Sequence, residues 1–339
     1  MAVTLKDVAA LAGVSPSTVS RTCNNHPSIS NETKEKVRRA IAELGYEPNF
    51  SSNNATVSET KTIGIILPPY QKEIFENTFF LEAIRGVSSF CNHKNYTNTI
   101  ITGNSDEELL SVIQSMVKRE QVDGFIVLYS RVDDPIIDYL YNDGLLYAIV
   151  GKANQYINQT IYIDNDNQLA AQEVTEYLIK KGHKKIAYIG PCFKFLFSFE
   201  RKTGYQLAML ANRLPLRDDY CVELPLDNNL HFEHIKQLLA SPDRPTAVVA
   251  CDDIIAFLLK YVCMELNLTI PDDLSIVSFN NSLVARFASP QITSVDINAF
   301  QLGVEAASQM INHIENPNLM ATKIIVPHQL MEYGSCKEI

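Results

Sequence analysis

The sequence predicts a small all-α unit followed by a larger α/β core with parallel sheets, and three observations carry this prediction. Residues 1–46 contain closely spaced helix start and stop signals, and residues 47–60 form a polar linker with weak helix propensity. From residue 61 to residue 339, short apolar runs alternate with longer amphipathic stretches. A chain of 339 residues is too long for one ordinary core, so we expect the α/β part to divide into two subdomains.

The N-terminal unit, which we call the headpiece, should form three short helices. Thr4 is placed to cap the first helix and Gly13 to end it. The apolar face of this helix is expected to consist of Val8, Ala9 and Leu11. The first helix is therefore short and amphipathic.

The second helix is predicted from Ser15 as its N-cap and Pro16 as its first residue, with Val19 buried. The third begins after Ser30 and ends at Gly45. Its buried stripe is formed by Val37, Ile41 and Leu44. Two short helices joined by a tight turn and braced by a third form a helix-turn-helix, which places its second helix in the major groove of DNA. A generic three-helix bundle with solvated polar faces would give a similar pattern.

Charge is unevenly distributed along the chain. Residues 1–60 carry six basic and six acidic side chains, so the whole net charge of −10 comes from the later residues. A neutral headpiece permits DNA binding but does not by itself indicate it.

Eight short runs in the headpiece match a known pattern in order and spacing: 4–9 (TLKDVA), 12–15 (AGVS), 18–21 (TVSR), 29–30 (IS), Thr33, 36–37 (KV), 44–46 (LGY) and 48–49 (PN). This pattern closely resembles the lactose/galactose repressor family of bacterial transcription regulators. The resemblance implies base-reading positions at Pro16, Ser17 and Arg21, of which Arg21 suits a guanine. It implies phosphate-contacting positions at Thr4, Ser15, Thr18, Ser20, Asn24, Ser30 and Thr33. Asn49, at the start of the linker, joins this DNA-binding set.

The linker departs from the family pattern. Relatives carry an Ala-Arg-x-Leu sequence that becomes a helix on operator DNA, where the Leu wedges into the minor groove. Here Asn53 stands in place of the Arg and Ala55 in place of the Leu. Because Ala has too little apolar bulk to hold a base step open, we expect this protein to kink its operator less than its relatives do. Val57 could supply the wedge only if the register of this helix shifts.

Six apolar runs in the core are predicted to be strands buried on both faces: 62–68, 124–128, 147–150, 186–190, 247–250 and 274–279. Seven amphipathic stretches alternate with them as predicted helices: 79–93, 105–119, 166–182, 201–213, 231–240, 253–267 and 298–315. This alternation predicts parallel sheets, and ligands of such folds bind where the carboxyl ends of strands meet.

The resemblance extends through the core, for example at 182–186 (GHKKI) and 200–204 (ERKTG). It implies a periplasmic-binding-protein-like fold of two subdomains. Subdomain 1 would span about 61–161 and 291–324. Subdomain 2 would span about 162–290 and 325–339.

The family's effector-binding positions fall on Phe79, Phe80, Arg201, Asp252 and Asn280. This set suits a sugar, since hydroxyl pairs need bidentate polar partners and the apolar face of a sugar ring packs on an aromatic ring. Relatives commonly have Asp in place of Asn280, and an amide suits a neutral ligand. Each residue could instead be structural, with the rings in the core and Arg201 paired with Glu200. Residues 278–282 (SFNNS) and 77–80 (NTFF) look most like the maltose-operon regulators, which implies maltose or a maltodextrin as the effector.

Two further sequence patterns each have a functional and a structural interpretation. Phe occupies every second position at Phe193, Phe195, Phe197 and Phe199, so an extended chain would place four rings on one face. Those rings could form a platform for sugars or part of the core. His231 and His234 are three residues apart, but without a third ligand nearby we expect two exposed helix histidines and no metal site.

The composition gives no sign of a cofactor, a metal or a membrane span. Seven scattered cysteines without a CxxC pair suit a reducing cytoplasm. No apolar run reaches 18 residues, and the N-terminus lacks the layout of a signal peptide. The absence of a Gly-rich phosphate loop and of an acid/base constellation argues against an enzyme.

Together these features predict a homodimeric transcription regulator, since one headpiece reads too few base pairs for specificity and two-fold symmetry doubles the site. It would act in the cytoplasm as a repressor on double-stranded operator DNA. A sugar bound between the core subdomains would change its affinity for the operator. The alternatives are a sugar-binding protein without a DNA function and a carbohydrate-active enzyme of α/β fold.

Overall fold

Three helices form the headpiece in the computed structural model, which describes residues 5–23, 29–46, 60–69, 77–191, 194–224 and 231–339. They are α1 (Leu5–Ala12), α2 (Pro16–Cys23) and α3 (Asn31–Leu44). The Oγ atoms of Ser15 and Ser30 accept the backbone N–H groups of Thr18 and Thr33, each at 3.2 Å. Gly45 ends α3 in the left-handed conformation, with φ 57°. The helix-turn-helix prediction is confirmed, while the predicted cap Thr4 lies outside the described residues.

The headpiece core is built around Val8, Val19 and Val37, which are fully buried. The prediction that Leu11 belongs to it is wrong, because Leu11 is 46% exposed. Four residues after Val8, Ala12 continues the buried face of α1 and turns Leu11 to the outside.

The core contains the six predicted strands and the seven predicted helices, together with further elements that the sequence did not predict. In chain order they are β1 (Thr62–Ile66), α4 (Thr78–His93), β2 (Thr97–Ile101), α5 (Asp106–Lys118), β3 (Gly124–Val127), α6 (Pro135–Asn142), β4 (Tyr147–Val150) and β5 (Ile161–Asp164). There follow α7 (Asn167–Lys180), β6 (Ile186–Pro191), α8 (Leu196–Ala211), β7 (Cys221–Leu224), α9 (His231–Ala240), β8 (Ala247–Ala250) and α10 (Asp253–Glu265). The last elements are β9 (Ser275–Phe279), α11 (Leu283–Phe287), β10 (Thr293–Asp296), α12 (Ala299–Glu315), β11 (Lys323–Ile325) and β12 (Gln329–Met331).

The strands form two six-stranded sheets, one in each subdomain. The first has the order β2-β1-β3-β4-β5-β11, and all its neighbouring strands are parallel. The second has the order β7-β6-β8-β9-β10-β12 and is parallel except for β12, which runs antiparallel to β10. The predicted fold of two parallel-dominated sheets is confirmed.

Helix α12 returns the chain to subdomain 1 and packs closely on α4. A β-carbon at Gly86 would lie 2.0 Å from the carbonyl oxygen of Phe300, and one at Gly303 would lie 2.0 Å from that of Ala83. Both positions therefore require glycine for the two helix backbones to touch. No helix in the described part of the chain has the length and apolar character needed to cross a membrane.

The chain crosses between the subdomains three times, and two crossings differ from the expected boundaries. Strand β10 pairs with β9 of the second sheet, so the return to subdomain 1 follows Asp296 and does not lie near residue 291. Strand β5 belongs to the first sheet, which moves the first crossing from 161 to the residues after Asp164. The Nδ2 group of the buried Asn165 donates to the carbonyl oxygens of Ile297 at 3.0 Å and Val326 at 2.8 Å. One amide thus links all three crossings.

Candidate functional site

Four of the predicted phosphate-contacting residues of the headpiece converge on one concave surface. Ser15, Thr18, Ser30 and Thr33 line it together with Val14 and Ile29. In each serine–threonine pair the two hydroxyl oxygens lie 2.9 Å apart. The N-termini of α2 and α3 therefore open onto the same hollow, where helix dipoles and hydroxyl donors favour an anion such as a DNA phosphate.

The predicted base-reading face lies on α2 and meets the core. The guanidinium carbon of Arg21 lies 4.8 Å from the centre of the Tyr141 ring on α6. Ser20 lies against Gly144, where an added β-carbon would be 2.3 Å from the serine Oγ. Arg21 cannot stack on Tyr141 and reach a base edge at once, so the predicted contact between Arg21 and a base would require Arg21 to leave Tyr141.

The remaining predicted DNA-binding positions lie on α2 or outside the described residues. Pro16 is the first residue of α2, and Ser17 lies on the same helix, but the side chain of Ser17 is outside the described part. Thr4, Asn24, Asn49 and Ala55 also lie outside the described residues.

All five predicted effector-binding residues line one cavity of about 300 Å³ between the two sheets: Phe79, Phe80, Arg201, Asp252 and Asn280. The cavity lies at the carboxyl ends of strands from both subdomains, where Ser130 follows β3, Asp164 ends β5 and Asp252 follows β8. This is the expected ligand position in open parallel sheets, and the volume is at the lower end of the usual range of about 300–1,000 Å³.

Arg201 is held in the cavity wall by neutral partners. Its side chain is buried on α8, where Nε–H donates to Asn167 Oδ1 at 2.8 Å and Nη1–H donates to the carbonyl oxygen of Cys251 at 2.6 Å. Its guanidinium carbon also lies 4.1 Å from the ring centre of Phe279. The suggested pairing with Glu200 is not seen, because Glu200 pairs with Lys152.

Two of the predicted polar residues are set by local backbone geometry. Asp252 caps α10, since its Oδ1 accepts the N–H of Ile255 at 2.8 Å. Burial raises the pKa of the Asp252 carboxyl, and the neighbouring Asp253 acts in the same direction. Asn280 has φ 100°, a conformation that asparagine tolerates better than most residues.

The aromatic wall of the cavity comes from two places. Phe79 and Phe80 meet edge to face at the start of α4, with ring centres 5.2 Å apart. Phe195 and Phe197, at the start of α8, also line the cavity. The idea that Phe193–Phe199 presents four rings on one face is wrong for the described rings, because α8 begins at residue 196 and leaves Phe199 54% exposed. Phe193 lies outside the described residues.

Sequence reasoning missed several lining residues, among them Asp164, Asn165, Asn167 and His231. Burial and the charge of Glu200 raise the pKa of Asp164 to about 7. Asp164 directly follows a run of three apolar residues, 161–163, so the strand-end rule applied to β5 would have found it. His231 was expected to be an exposed helix histidine, but it is only partly exposed and faces the cavity. Among the described residues, no cluster of three or more His, Cys, Asp or Glu side chains could hold a metal ion.

Comparison with known proteins gives two family matches. Residues 4–49 match the family "Bacterial regulatory proteins, lacI family", and residues 175–336 match the family "Periplasmic binding protein-like domain". Over 339 residues the chain is 34% identical to the HTH-type transcriptional regulator MalR of Staphylococcus xylosus, covering 99% of both chains. These relatives are regulators, so the enzyme alternative finds no support.

Two solved structures share the fold. The transcriptional regulator CelR in complex with cellobiose superposes with a TM-score of 0.78 at 28% identity, covering 98% of this chain and 99% of that one. A "probable maltose operon transcriptional repressor" from Staphylococcus aureus superposes with a TM-score of 0.76 at 28% identity, covering 82% and 98%. The match to a full-length regulator includes both the headpiece and the core.

Proposed function

Because the chain belongs to the lacI family of bacterial transcription regulators, we propose that it is a maltose-responsive repressor of a carbohydrate operon. The observation that carries the proposal is the meeting of Phe79, Phe80, Arg201, Asp252 and Asn280 around one cavity between the subdomains. Such a regulator acts where the chromosome is, so we place it in the cytoplasm.

The chemistry of the cavity favours a neutral sugar. Arg201 lines the same cavity as the carboxyl groups of Asp164 and Asp252, so these charged groups give no excess positive charge that would select an anion. Amide and carboxyl groups offer both donors and acceptors to hydroxyls, and the phenylalanine rings offer flat apolar surfaces to a pyranose face. Maltose is the first choice because MalR and the maltose operon repressor are among the relatives.

The regulator is expected to bind DNA from the region upstream of its own operon and to release it when maltose is added. Maltose stabilises one arrangement of the subdomains, and the operator is released if the other arrangement is the one that binds DNA. Electrophoretic mobility shifts with maltose, cellobiose and ribose measure this response, and a rise in melting temperature reports binding independently. Binding of the upstream DNA that no tested sugar changes would contradict the sugar-response part of the proposal.

We infer that the protein works as a homodimer joined through α10 and α11. Five apolar side chains on these helices are at least half exposed: Phe257, Tyr261, Met264, Leu283 and Phe287. Phe257, Tyr261 and Met264 follow a helical spacing that places them on one face of α10, and α11 packs beside it. An exposed apolar patch of this kind on a folded domain marks an interface, and a second copy of the chain would bring two headpieces to a two-fold operator.

Replacing Phe287 with aspartate is expected to convert the dimer into a monomer. Phe287 is 82% exposed, so the substitution leaves the fold intact but places a charge where a partner would bury a ring. Light scattering after size exclusion measures the mass, and Leu210→Asp on α8 is the matched control, since Leu210 is 58% exposed elsewhere. A dimer that survives Phe287→Asp but dissociates with Leu210→Asp would move the interface to α8.

A further inference from the structure

Two backbone segments beside the cavity meet, one from each subdomain. Arg131 and Phe195 form an isolated antiparallel bridge between residues 130–132, which follow β3, and residues 194–196, which lead into α8. The N–H of Val132 donates to the carbonyl oxygen of Lys194 at 3.0 Å, and the N–H of Leu196 donates to that of Ser130 at 3.2 Å. We call residues 194–196 the strap, because they fasten subdomain 2 to subdomain 1.

A side-chain contact lies beside the strap and joins the same two subdomains. Lys152, which follows β4, forms an ion pair with Glu200 on α8. Ser130 accepts the strap's hydrogen bond through its backbone, and its hydroxyl donates to the carbonyl oxygen of Lys152. The backbone bridge and the ion pair are thus parts of one connection.

The half of the bridge that belongs to subdomain 1 is held in place by buried side-chain contacts. Arg131 is largely buried, and its Nε–H donates to Oδ2 of the buried Asp134 at 2.9 Å. Asp106 pairs with the same guanidinium group. Because Asp134 also caps α6, residues 130–132 are fixed to the body of subdomain 1.

The half of the bridge that belongs to subdomain 2 lines the cavity through Phe195. Phe195 both pairs with Arg131 and lines the cavity, and Arg201 lies one residue after Glu200 on the same helix. A ligand that packs on Phe195 and binds Arg201 therefore contacts the element that holds the two subdomains together.

We propose that the strap and the Lys152–Glu200 pair form a latch that couples cavity occupancy to the angle between the subdomains. This inference rests on the effector function proposed above. A bound sugar packs on Phe195 and thereby strengthens the bridge, and a broken bridge lowers the population of the closed state that holds the sugar. Leu196 N–H is a positioning group and does not itself touch the ligand.

The latch can be tested without any ligand by replacing Lys152 with alanine. Hydrogen exchange at the amides of Val132 and Leu196 should become about two- to fivefold faster, the effect that an exposed ion pair has on an opening equilibrium. Lys185→Ala is the matched control, because Lys185 is about as exposed as Lys152 and its pair with Asp243 lies within subdomain 2. Equal exchange in the two variants would overturn the latch.

A second variant removes one hydrogen bond with little change to the helix. Leu196 is the first residue of α8, where proline is favoured, and Phe195 before it has φ −78° and ψ 121°, which proline accepts. Leu196→Pro deletes the N–H that donates to Ser130, whereas Leu196→Ala keeps it. Calorimetric titration with maltose should give a dissociation constant about two- to tenfold higher for the proline variant than for the alanine variant.

The exchange experiment and the maltose titration test the latch and the sugar assignment separately. If the wild-type protein does not bind maltose, the sugar assignment fails, while the exchange experiment still decides whether the latch exists. If the wild type binds maltose and the proline and alanine variants bind it equally well, the coupling is refuted and the sugar assignment stands.

Discussion

Replacing Arg201 with alanine is expected to weaken maltose binding by about ten- to a hundredfold, so that maltose no longer releases the operator at concentrations that release it from the wild type. The substitution removes a charged donor from the cavity wall. It also leaves the Asn167 amide oxygen and the Cys251 carbonyl without their buried partner. Calorimetry measures the affinity, and a mobility shift measures the release.

Two control variants show whether the loss of maltose affinity is specific to Arg201. Arg201→Lys keeps the charge but loses the planar fork that reaches Asn167 and Cys251 together, so we expect an intermediate affinity. Arg217→Ala removes a surface arginine of the same subdomain, whose partners are Asp219 and Asp243, and should leave maltose binding unchanged. Wild-type affinity in Arg201→Ala would show that the sugar binds elsewhere.

Six buried central strands could be predicted, whereas the edge strands and the two inner strands β5 and β10 were not. The runs that became β1, β3, β4, β6, β8 and β9 are apolar because both faces are covered. Strand β2 (Thr97–Ile101) is an edge strand with exposed positions, so its sequence lacks a continuous apolar run. The three-residue strands β11 and β12, also at edges, are too short for any periodic signal.

Strand β10 escaped prediction for a different reason. Thr293 and Ser294 are fully buried although they are polar, because their hydroxyls have partners inside the protein. Ser294 Oγ donates to Asp253 Oδ1 at 2.8 Å, and Asp253 is itself buried on α10. A buried polar network satisfied by distant residues leaves no pattern in the local sequence, so β10 could not be recognised as a strand of subdomain 2.

The residues of the candidate site also differ in whether the sequence alone could identify them. Asp252 follows a predicted strand, so its position at the sheet edge can be read from the sequence. Asn280 directly follows the predicted strand 274–279, so the same rule places it, whereas Arg201 could be assigned only through family resemblance. Asn167 and Phe195 line the cavity because distant segments of the two subdomains pack together. That packing cannot be predicted from the local sequence. The alternating phenylalanines of 193–199 favoured an extended segment. That interpretation is wrong because α8 begins at residue 196.

Replacing Arg21 with alanine is expected to weaken specific operator binding at least about thirtyfold. A bidentate arginine–guanine contact contributes about 1–3 kcal/mol, and a dimer loses it twice. Fluorescence anisotropy with the operator, and with the operator changed at the guanine, measures both affinities. The variant should no longer distinguish the two DNAs.

Two further variants separate base reading from the other roles of Arg21. Arg39→Ala removes an exposed arginine of α3 that pairs with Glu35, so any loss should be uniform across DNA sequences. Tyr141→Ala removes the ring on which Arg21 stacks in the DNA-free protein, and should strengthen operator binding by freeing α2. Because Arg21→Ala also frees α2, a weaker operator complex in that variant can only come from the lost contact with DNA. If Arg21→Ala weakens all sequences equally, Arg21 meets the backbone, and base reading by α2 falls to Pro16 and Ser17.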